Sequence, residues 1–332
     1  MSDGDEQAEE DVDSDIQSTS RQYLSVHSSS LPYLLKVGEL GSIRQAAEAL
    51  NIASSAINRK ILKIERELGV SLFTRTVKGM TPTTSGALLL EHARSTLSDY
   101  QRTVDEIINR KGNIRGRVNI TGISSFIEHV LPNKIIQFCE TYPEISMKIV
   151  DENPGRIIDE TMAGNFDIAI TFVDGRHHGL ELCAKIDAPL GAVMRSDHPL
   201  AGRESLTLTD CAGYSTFLFS DRLIIEALAE SEFRRTGATF KPRILTNSMA
   251  VMNSGVISGL GIGFFTPIGF LDDIRDGRIV HVPLLGNELL PNGIGLYAAK
   301  GITSSQPGRA VVDFLMKEFA IIEKKLGELR LK

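Results

Sequence analysis

Residues 41–65 read GSIRQAAEALNIASSAINRKILKIE, and this stretch decides the fold. It predicts two helices separated by a break at residues 51–53. Small alanines in both helices allow a close crossing, as a helix-turn-helix requires. The apolar residues recur at the three- and four-residue spacings of one helical face, and they are Ile43, Ala46, Ala47 and Leu50 in the first helix and Ile57, Ile61, Ile64 and Leu68 in the second.

The polar face of the second helix points to a function. Short hydrogen-bonding groups come first and cations follow, namely Ser54, Ser55, Asn58, Arg59 and Lys63. Such a face suits a helix that enters the major groove of DNA and contacts base edges. An ordinary amphipathic helix with a solvated face has the same pattern, so the helix pair alone leaves both interpretations open.

The residues after this helix favour the DNA-binding interpretation. Gly69 is the residue type that commonly follows a helix end, and residues 71–75 predict a short strand before a turn and a further helix. The whole pattern predicts a winged helix-turn-helix domain at residues 29–84. Arg75 and Lys78 lie in the predicted wing, where we expect them to contact DNA phosphates.

A larger set of residues in this region has a combined spacing that is far more specific than any single motif. The set is Gly41-Ser42, Ala46-Ala47, Leu50, Ser55-Ala56-Ile57-Asn58-Arg59, Ile64-Glu65, Leu68-Gly69-Val70, Leu72-Phe73 and Arg75. On these residues the run 31–86 resembles the N-terminal domain of LysR-type transcriptional regulators. One departure is Ala53-Ser54-Ser55, where the family often has Ser followed by Gln or Pro. Because Ala53 cannot cap a helix with its side chain, the operator sequence stays open.

The composition is that of a soluble globular protein, since 42% of the 332 residues are hydrophobic and 23% are charged. No apolar run approaches the roughly 20 residues that span a bilayer, and the acidic N-terminus is unlike a signal peptide. We therefore expect a cytoplasmic protein without a membrane partner. The three cysteines are too widely spaced for a disulfide framework or a metal motif, so no metal site and no cofactor are predicted.

The net charge of −6 is unevenly distributed along the chain. Residues 1–28 hold eight acidic residues against Arg21, a charge of −7, whereas residues 31–80 hold eight Lys or Arg against four Glu, a charge of +4. The acidic tail is predicted to be disordered because it cannot bury enough apolar surface to fold. A tail that mimics nucleic acid and competes for the basic face is the alternative interpretation. The basic helix-turn-helix region agrees with a double-stranded DNA partner.

A long helix is predicted at residues 85–111, followed by a hinge at residues 112–116. Its apolar residues form a narrow heptad seam that suits a partner helix, although packing against its own chain is the alternative. The resemblance implies that two subunits dimerise through this helix and that the protein is a homodimer or a homotetramer. The predicted dimerisation residues are Leu90, Leu97, Tyr100, Val104 and Ile107.

Residues 117–322 alternate predicted strands and helices, beginning with a βαβαβ pattern that implies a mostly parallel sheet. We expect one lobe at about 117–190 and 299–322 and a second lobe at about 191–298, in an architecture of the periplasmic-binding-protein type. The fold class is then α/β, with an N-terminal winged helix-turn-helix, a long dimerisation helix and a two-lobed domain. This region resembles the effector-binding domain of the same family in the motifs Leu131-Pro132, Tyr142-Pro143, Phe166-Asp167-Ile168-Ala169-Ile170, His198-Pro199-Leu200 and Gly259-Leu260-Gly261-Ile262-Gly263.

A small-molecule effector is expected between the lobes, because pockets prefer such interfaces. Ser124 and Ser125 follow the first predicted strand, where hydroxyl and backbone N–H groups suit a carboxylate or a similar organic anion. The alternative is that one of them caps the next helix, and both roles can hold together. The resemblance implies that this loop contacts the inducer. Further candidates are Thr171, Phe172, Asn247, Ser248, Phe265 and Thr266.

The sequence argues against an enzyme. Ser124 lacks a Gly-x-Ser-x-Gly setting, the glycines at 259, 261 and 263 lack the dinucleotide spacing, and His177-His178 predicts a surface turn rather than a metal site. The interpretation that follows is a sequence-specific DNA-binding transcriptional regulator controlled by a small molecule, with RNA polymerase as a partner if it activates. A periplasmic-type binding protein without DNA function and a serine hydrolase are the alternatives.

Overall fold

The computed structural model describes residues 30–77, 79–109, 114–173, 179–219, 242–285 and 293–330. They belong to two compact units that divide between Gln101 and Arg102. Several sequence predictions lie outside the described residues, namely the acidic tail at 1–28, Lys78, the hinge residues 112–113, His177-His178 and a helix that the sequence predicts at residues 224–236.

The first unit consists of short helices, a two-stranded wing and the beginning of a long helix. The elements are α1 (Leu31–Leu40), α2 (Ile43–Ala49), α3 (Ser54–Leu68), β1 (Phe73–Thr76), β2 (Gly79–Pro82) and α4 (Thr84–Asn109). The strands β1 and β2 pair in antiparallel orientation. The predicted winged helix-turn-helix is therefore confirmed, with α3 in the position of the recognition helix.

Local backbone chemistry fixes the turn between α2 and α3. Ser42 caps α2, because its hydroxyl oxygen accepts a hydrogen bond from the backbone N–H of Gln45 at 3.4 Å. Asn51 has a φ of 53°, in the left-handed region that asparagine tolerates better than most residues. Ala53 precedes α3 and makes no side-chain cap, as the sequence predicts.

The first unit has an apolar core to which α1, α2, α3, β1 and α4 all contribute. Ile57, Ile61 and Ile64 of α3 are buried in it, as their spacing predicts. Leu90 of α4 is only 3% exposed and belongs to the same core. The prediction that Leu90 lies in the dimerisation seam is wrong, because the first turns of α4 close the core of their own chain.

The second unit contains two α/β lobes, each with its own sheet. Its elements are β3 (Gly116–Gly122), α5 (Ser124–Ile127), α6 (Leu131–Thr141), β4 (Ile145–Asp151), α7 (Pro154–Met162), β5 (Ile168–Phe172), β6 (Leu180–Ile186), β7 (Gly191–Arg195), α8 (Leu208–Cys211), β8 (Thr216–Phe219), β9 (Ile244–Thr246), α9 (Met249–Ile257), β10 (Ile262–Phe265), a 3₁₀ helix (Pro267–Phe270), α10 (Leu271–Arg275), β11 (Ile279–Pro283), β12 (Ile294–Ala299), a 3₁₀ turn (Ile302–Ser304) and α11 (Gln306–Arg330). The predicted two-lobed architecture is confirmed.

Both sheets are mixed, which corrects the prediction of a mostly parallel sheet. The first has the order β4-β3-β5-β12-β6, in which β3 is parallel to β4 and β5 whereas β12 is antiparallel to β5 and β6. The second has the order β11-β7-β10-β8-β9, in which β8 is parallel to its neighbours and β7 is antiparallel to its own. The antiparallel strand β12 returns from the second lobe, so no βαβ crossover sets its direction.

Three predicted boundaries also change. The strand β12 pairs inside the first sheet, so the second lobe ends before Ile294 rather than at residue 298. Gly116 opens β3 instead of closing the hinge. The run 126–141, which the sequence predicts as one helix, is divided into α5 and α6, because Pro132 stands at the beginning of a new helix. Among the described helices, none combines the length and the apolarity that a membrane crossing needs.

Candidate DNA-binding and effector-binding sites

The predicted DNA-reading residues of α3 lie at its surface. Ser54, Ser55, Arg59 and Lys63 are exposed and Asn58 is half-buried. The guanidinium of Arg59 lies along its own helix, where Nε donates to the carbonyl oxygen of Ser55 at 3.3 Å. That contact is a weak one, so a bound base can compete for the same N–H groups.

A concave surface of about 790 Å³ joins α3 to the wing and to the beginning of α2. Ser55 and Asn58 line it from the recognition helix, and Arg75 lines it from β1. Ser42, Arg44 and Gln45 of α2 also line it and were missed by the sequence reasoning. The sequence feature that points to these three residues is the helix start at Ser42. Backbone N–H groups at the beginning of a helix bind phosphates in DNA complexes.

Arg75 of this surface carries a charge that no carboxylate neutralises among the described residues, and so does Arg59, which follows Asn58 on α3 but does not line the surface. Arg59 and Arg75 make no ion pair there, whereas Arg44 pairs with Glu48 at 3.1 Å and Lys63 pairs with Glu67 at 3.6 Å. Exposed pairs of this kind contribute little to stability. The concave surface is therefore cationic where the wing and the recognition helix meet.

Beyond Leu90, the predicted seam of α4 is more accessible. Leu97 is half-buried against the core of the first unit. Tyr100 is 67% exposed and Ile107 is 64% exposed, while Val104 is half-buried. Large apolar side chains at this exposure, in register on one helix, are typical of an interaction surface, so their role in dimerisation stays a prediction.

The predicted effector loop holds an unexpected pair. The hydroxyl of Ser124 donates to the carboxylate of Asp151, with distances of 3.0 Å to Oδ1 and 2.9 Å to Oδ2. The cap position of α5 is Ile123, and no side chain caps the helix, so neither serine has the alternative capping role. Partial burial raises the pKa of Asp151, with a further increase from Glu152, while the hydrogen bond from Ser124 opposes it.

The two lobes meet at this loop. The helix α5 packs against the 3₁₀ helix of the second lobe, and a Cβ built on Gly269 would lie 3.4 Å from Cβ of Ser125. Beside it, the ring of His129 contacts the side-chain amide of Asn253. Partial burial lowers the pKa of His129, and the nearby charge of Asp273 opposes this shift.

The remaining effector candidates are distributed unevenly. Asn247 is exposed, Phe172 is half-buried and Thr171 is buried. The hydroxyl of Ser248 accepts the N–H of Val251 at 3.4 Å and so caps α9. The last two candidates, Phe265 and Thr266, follow one another at the end of β10.

Phe265 belongs to the apolar core of the second lobe and packs on Phe270, with ring centroids 5.3 Å apart. Its prediction as an effector contact is wrong, because a ring in the core presents almost no surface to a ligand. Thr266 is only 2% exposed, and its hydroxyl has no hydrogen-bond partner among the described residues. The hydroxyls of Thr121 and Thr216 are in the same state, and a buried hydroxyl of this kind can donate to a bound water or ligand.

Two family models match this chain. The one described as "Bacterial regulatory helix-turn-helix protein, lysR family" matches residues 29–87. The one described as "LysR substrate binding domain" matches residues 111–320, which is more than half of the chain. The fold and these matches define a DNA-binding transcriptional regulator with an effector-binding domain. The chain belongs to the LysR family.

Relatives and solved structures agree with this assignment. The chain is 27% identical to the nitrogen assimilation regulatory protein nac of Escherichia coli over 234 residues, 70% of this chain and 75% of that protein. It is 26% identical to a hydrogen peroxide-inducible genes activator of Pectobacterium carotovorum over 254 residues, 76% and 84% of the two chains. The crystal structure of ArgP from Mycobacterium tuberculosis has the same fold, with a TM-score of 0.62 at 20% identity over 88% of this chain and 97% of that one.

Proposed function

We propose that Ser55, Asn58 and Arg59 of α3 read base edges in the major groove while Arg75 of the wing contacts phosphate. The observation that carries this proposal is the concave surface of the first unit, where these two elements meet. Ser54, Lys63 and Lys78 are proposed as further contacts to the same DNA, in line with the polar and cationic face predicted from the sequence.

The test is to sequence the genomic fragments that the purified full-length protein retains, with and without candidate effectors. We expect one enriched motif with two-fold symmetry, since paired helix-turn-helix readers bind paired half-sites. The Ser55→Ala/Asn58→Ala variant should still retain DNA but without that motif. Enrichment of the same motif by the variant would show that Ser55 and Asn58 do not contact base edges.

We propose that the protein is a homodimer or homotetramer that pairs through the seam of α4, at the exposed Tyr100 and Ile107 and the half-buried Leu97 and Val104. RNA polymerase is a further partner if the protein activates transcription. A cytoplasmic location is part of the same proposal, because the genomic DNA that it binds lies there. No catalytic role is proposed, since DNA binding and effector binding account for the surfaces described above.

We propose that the effector binds where α5 meets the second lobe, near Ser125 and the buried hydroxyl of Thr266. The sequence predicts an organic anion there. However, the proton of the Ser124 hydroxyl is directed at Asp151, so an anion must rely on Ser125 and backbone N–H groups. Isothermal titration calorimetry with carboxylates and amines of matched size distinguishes an anionic effector from a cationic one that binds Asp151.

Asp151→Asn is expected to raise the melting temperature near neutral pH. The folded-state pKa of Asp151 is raised above its ordinary value of 3.8, so the carboxylate form weakens folding above the raised pKa. The destabilisation by the carboxylate form is absent below a pH of about 3.8. The difference in melting temperature between Asp151→Asn and the wild type should therefore shrink as the pH falls. Melting curves from pH 4 to pH 8 check this, with Asp159→Asn on α7 as the control. An advantage that grows towards acid pH would contradict it.

Peroxide is expected to leave DNA binding unchanged when Cys139 is replaced by Ala. Burial raises the pKa of Cys211 to about 12, and burial with the Glu181 charge raises that of Cys183 to about 11. The thiolate is the reactive form, so both thiols should resist oxidation, although one relative is described as an activator of hydrogen peroxide-inducible genes. After peroxide treatment of the Cys139→Ala variant, operator titration measures DNA binding and mass spectrometry of the intact protein measures oxidation. Oxidation of Cys183 or Cys211 together with altered operator affinity would contradict this prediction.

A further inference from the structure

A carboxylate of the recognition helix accepts hydrogen bonds from the backbone at the beginning of the wing. Glu65, two turns after Asn58 on α3, directs its Oε1 towards the beginning of β1. This oxygen accepts the backbone N–H of Leu72 at 2.7 Å and that of Phe73 at 3.3 Å. A single side chain of the recognition helix therefore holds the first strand of the wing.

Both N–H groups lie within hydrogen-bond distance of this one carboxylate oxygen. The carbonyl of Leu72 in turn accepts the N–H of Thr83 at 2.9 Å. Leu72 and Phe73 are both buried in the core of the unit, where an unpaired backbone N–H is unfavourable. Removing the acceptor of Glu65 should therefore release the base of β1.

The other strand of the wing is held by a different element. The N–H of Met80 donates to the carbonyl oxygen of Gly41 at 2.7 Å, and the closeness of Gly41 leaves no room for a Cβ at Gly79. Glu65 thus fixes β1 to α3 while Gly41 fixes β2 to the end of α1. Arg75 stands two residues beyond Phe73 on the strand that Glu65 holds.

We propose that Glu65 is a positioning residue for DNA binding, which sets the phosphate contact of the wing relative to the base contacts of α3. This inference rests on the proposed function, in which the wing touches DNA. Glu65 itself need not touch the nucleic acid, and its negative charge would repel phosphate if it did. Its oxygen acts as a hydrogen-bond acceptor, so a neutral side chain with the same oxygen should serve equally well.

The experiment is a double-mutant cycle in the full-length protein, using operator DNA obtained by selection. Glu65→Leu removes the acceptor, Glu65→Gln keeps it without the charge, and Arg75→Ala removes the phosphate contact. Glu91→Leu is the control, because this carboxylate is exposed on α4 and lies off both the wing and the recognition helix. Operator affinity and the salt dependence of that affinity are measured for each variant, with circular dichroism to confirm folding.

We expect Glu65→Leu to weaken operator binding about tenfold and to lower the salt slope by about 0.9, the loss of one phosphate contact. The operator affinities of Glu65→Gln and Glu91→Leu should stay within about twofold of the wild type, inside the usual range for surface changes. Adding Glu65→Leu to Arg75→Ala should change little, because the contact that it positions is already absent. A role in folding alone would lower stability without changing the salt slope.

Two results would overturn the proposal. One is a folded Glu65→Leu variant with the wild-type salt slope, and the other is independent, additive losses from Glu65→Leu and Arg75→Ala. If Glu65→Leu does not fold, Glu65→Asp withdraws the same oxygen by one methylene and is held to the same criteria. If Arg75→Ala has no effect while Glu65→Leu lowers both affinity and slope, the Arg75 assignment fails and the Glu65 proposal stands on another wing contact.

Discussion

Replacing Tyr100 and Ile107 by lysine is expected to separate the subunits and to abolish tight operator binding. Both side chains stand out from α4 at more than 60% exposure, and a two-fold helix pair would bury each of them twice. Full burial of such a side chain contributes about 1.5–3 kcal/mol, so four lysines should remove most of the association energy. A monomer would then bind one half-site, with an affinity lower by at least about a hundredfold, which is about 2.7 kcal/mol.

Sedimentation velocity and operator titration measure the two effects together. Ser95→Lys is the control, because Ser95 is exposed on α4 but lies off the seam. It should leave both the sedimentation coefficient and the affinity unchanged. An intact dimer in the Tyr100→Lys/Ile107→Lys variant would show that α4 packs on another surface.

Arg59→Ala is expected to cost about 1–3 kcal/mol of specific binding, as the loss of a good base contact does. The guanidinium is exposed on α3 and makes a 3.3 Å contact to its own helix, and it has no carboxylate partner in the part of the chain that the structure describes. The loss should fall on the selected operator and not on unrelated DNA. Competition titrations at a fixed salt concentration measure both.

Arg66→Ala supplies the comparison for this prediction. Arg66 lies two turns further along the same helix, and its Nε contacts the carbonyl oxygen of Leu62 at 3.2 Å, so its local setting is matched. It should weaken all DNA binding equally or not at all, since its distance from the beginning of α3 removes it from the base edges. Equal losses of affinity in Arg59→Ala and Arg66→Ala, for both the operator and unrelated DNA, would show that Arg59 contacts phosphate and not a base edge.

The recognition helix could be predicted from sequence because its signals are local. Ile57, Ile61 and Ile64 repeat at helical spacing, and Gly69 ends the helix with a φ of 68°. The strand β6 could also have been predicted, since Leu180, Leu182, Ala184 and Ile186 alternate as strand residues do. Cys183 interrupts this alternation, which weakens the signal but does not remove it.

The errors came from contacts between residues that are distant in sequence. The heptad pattern of α4 cannot distinguish a residue that packs on its own domain from one that meets a partner, so Leu90 was assigned to the wrong surface. Ser124 and its acceptor Asp151 are separated by 27 positions, and only the pairing of β3 with β4 brings them together. The hydrogen bonds that Leu72 and Phe73 donate to Glu65 span only seven and eight positions. They depend on how the chain turns between α3 and β1, which the sequence pattern does not show.

The central claim is that the surface formed by α3 and the wing recognises one DNA sequence. The most direct test is the ratio of affinities of the full-length protein for the selected operator and for a scrambled duplex of the same length and composition, at one physiological salt concentration. A specific regulator of this class should prefer the operator by at least about a thousandfold, and Arg59→Ala should reduce that ratio about tenfold or more. Equal affinity for both duplexes, or a ratio unchanged by Arg59→Ala, would contradict the account.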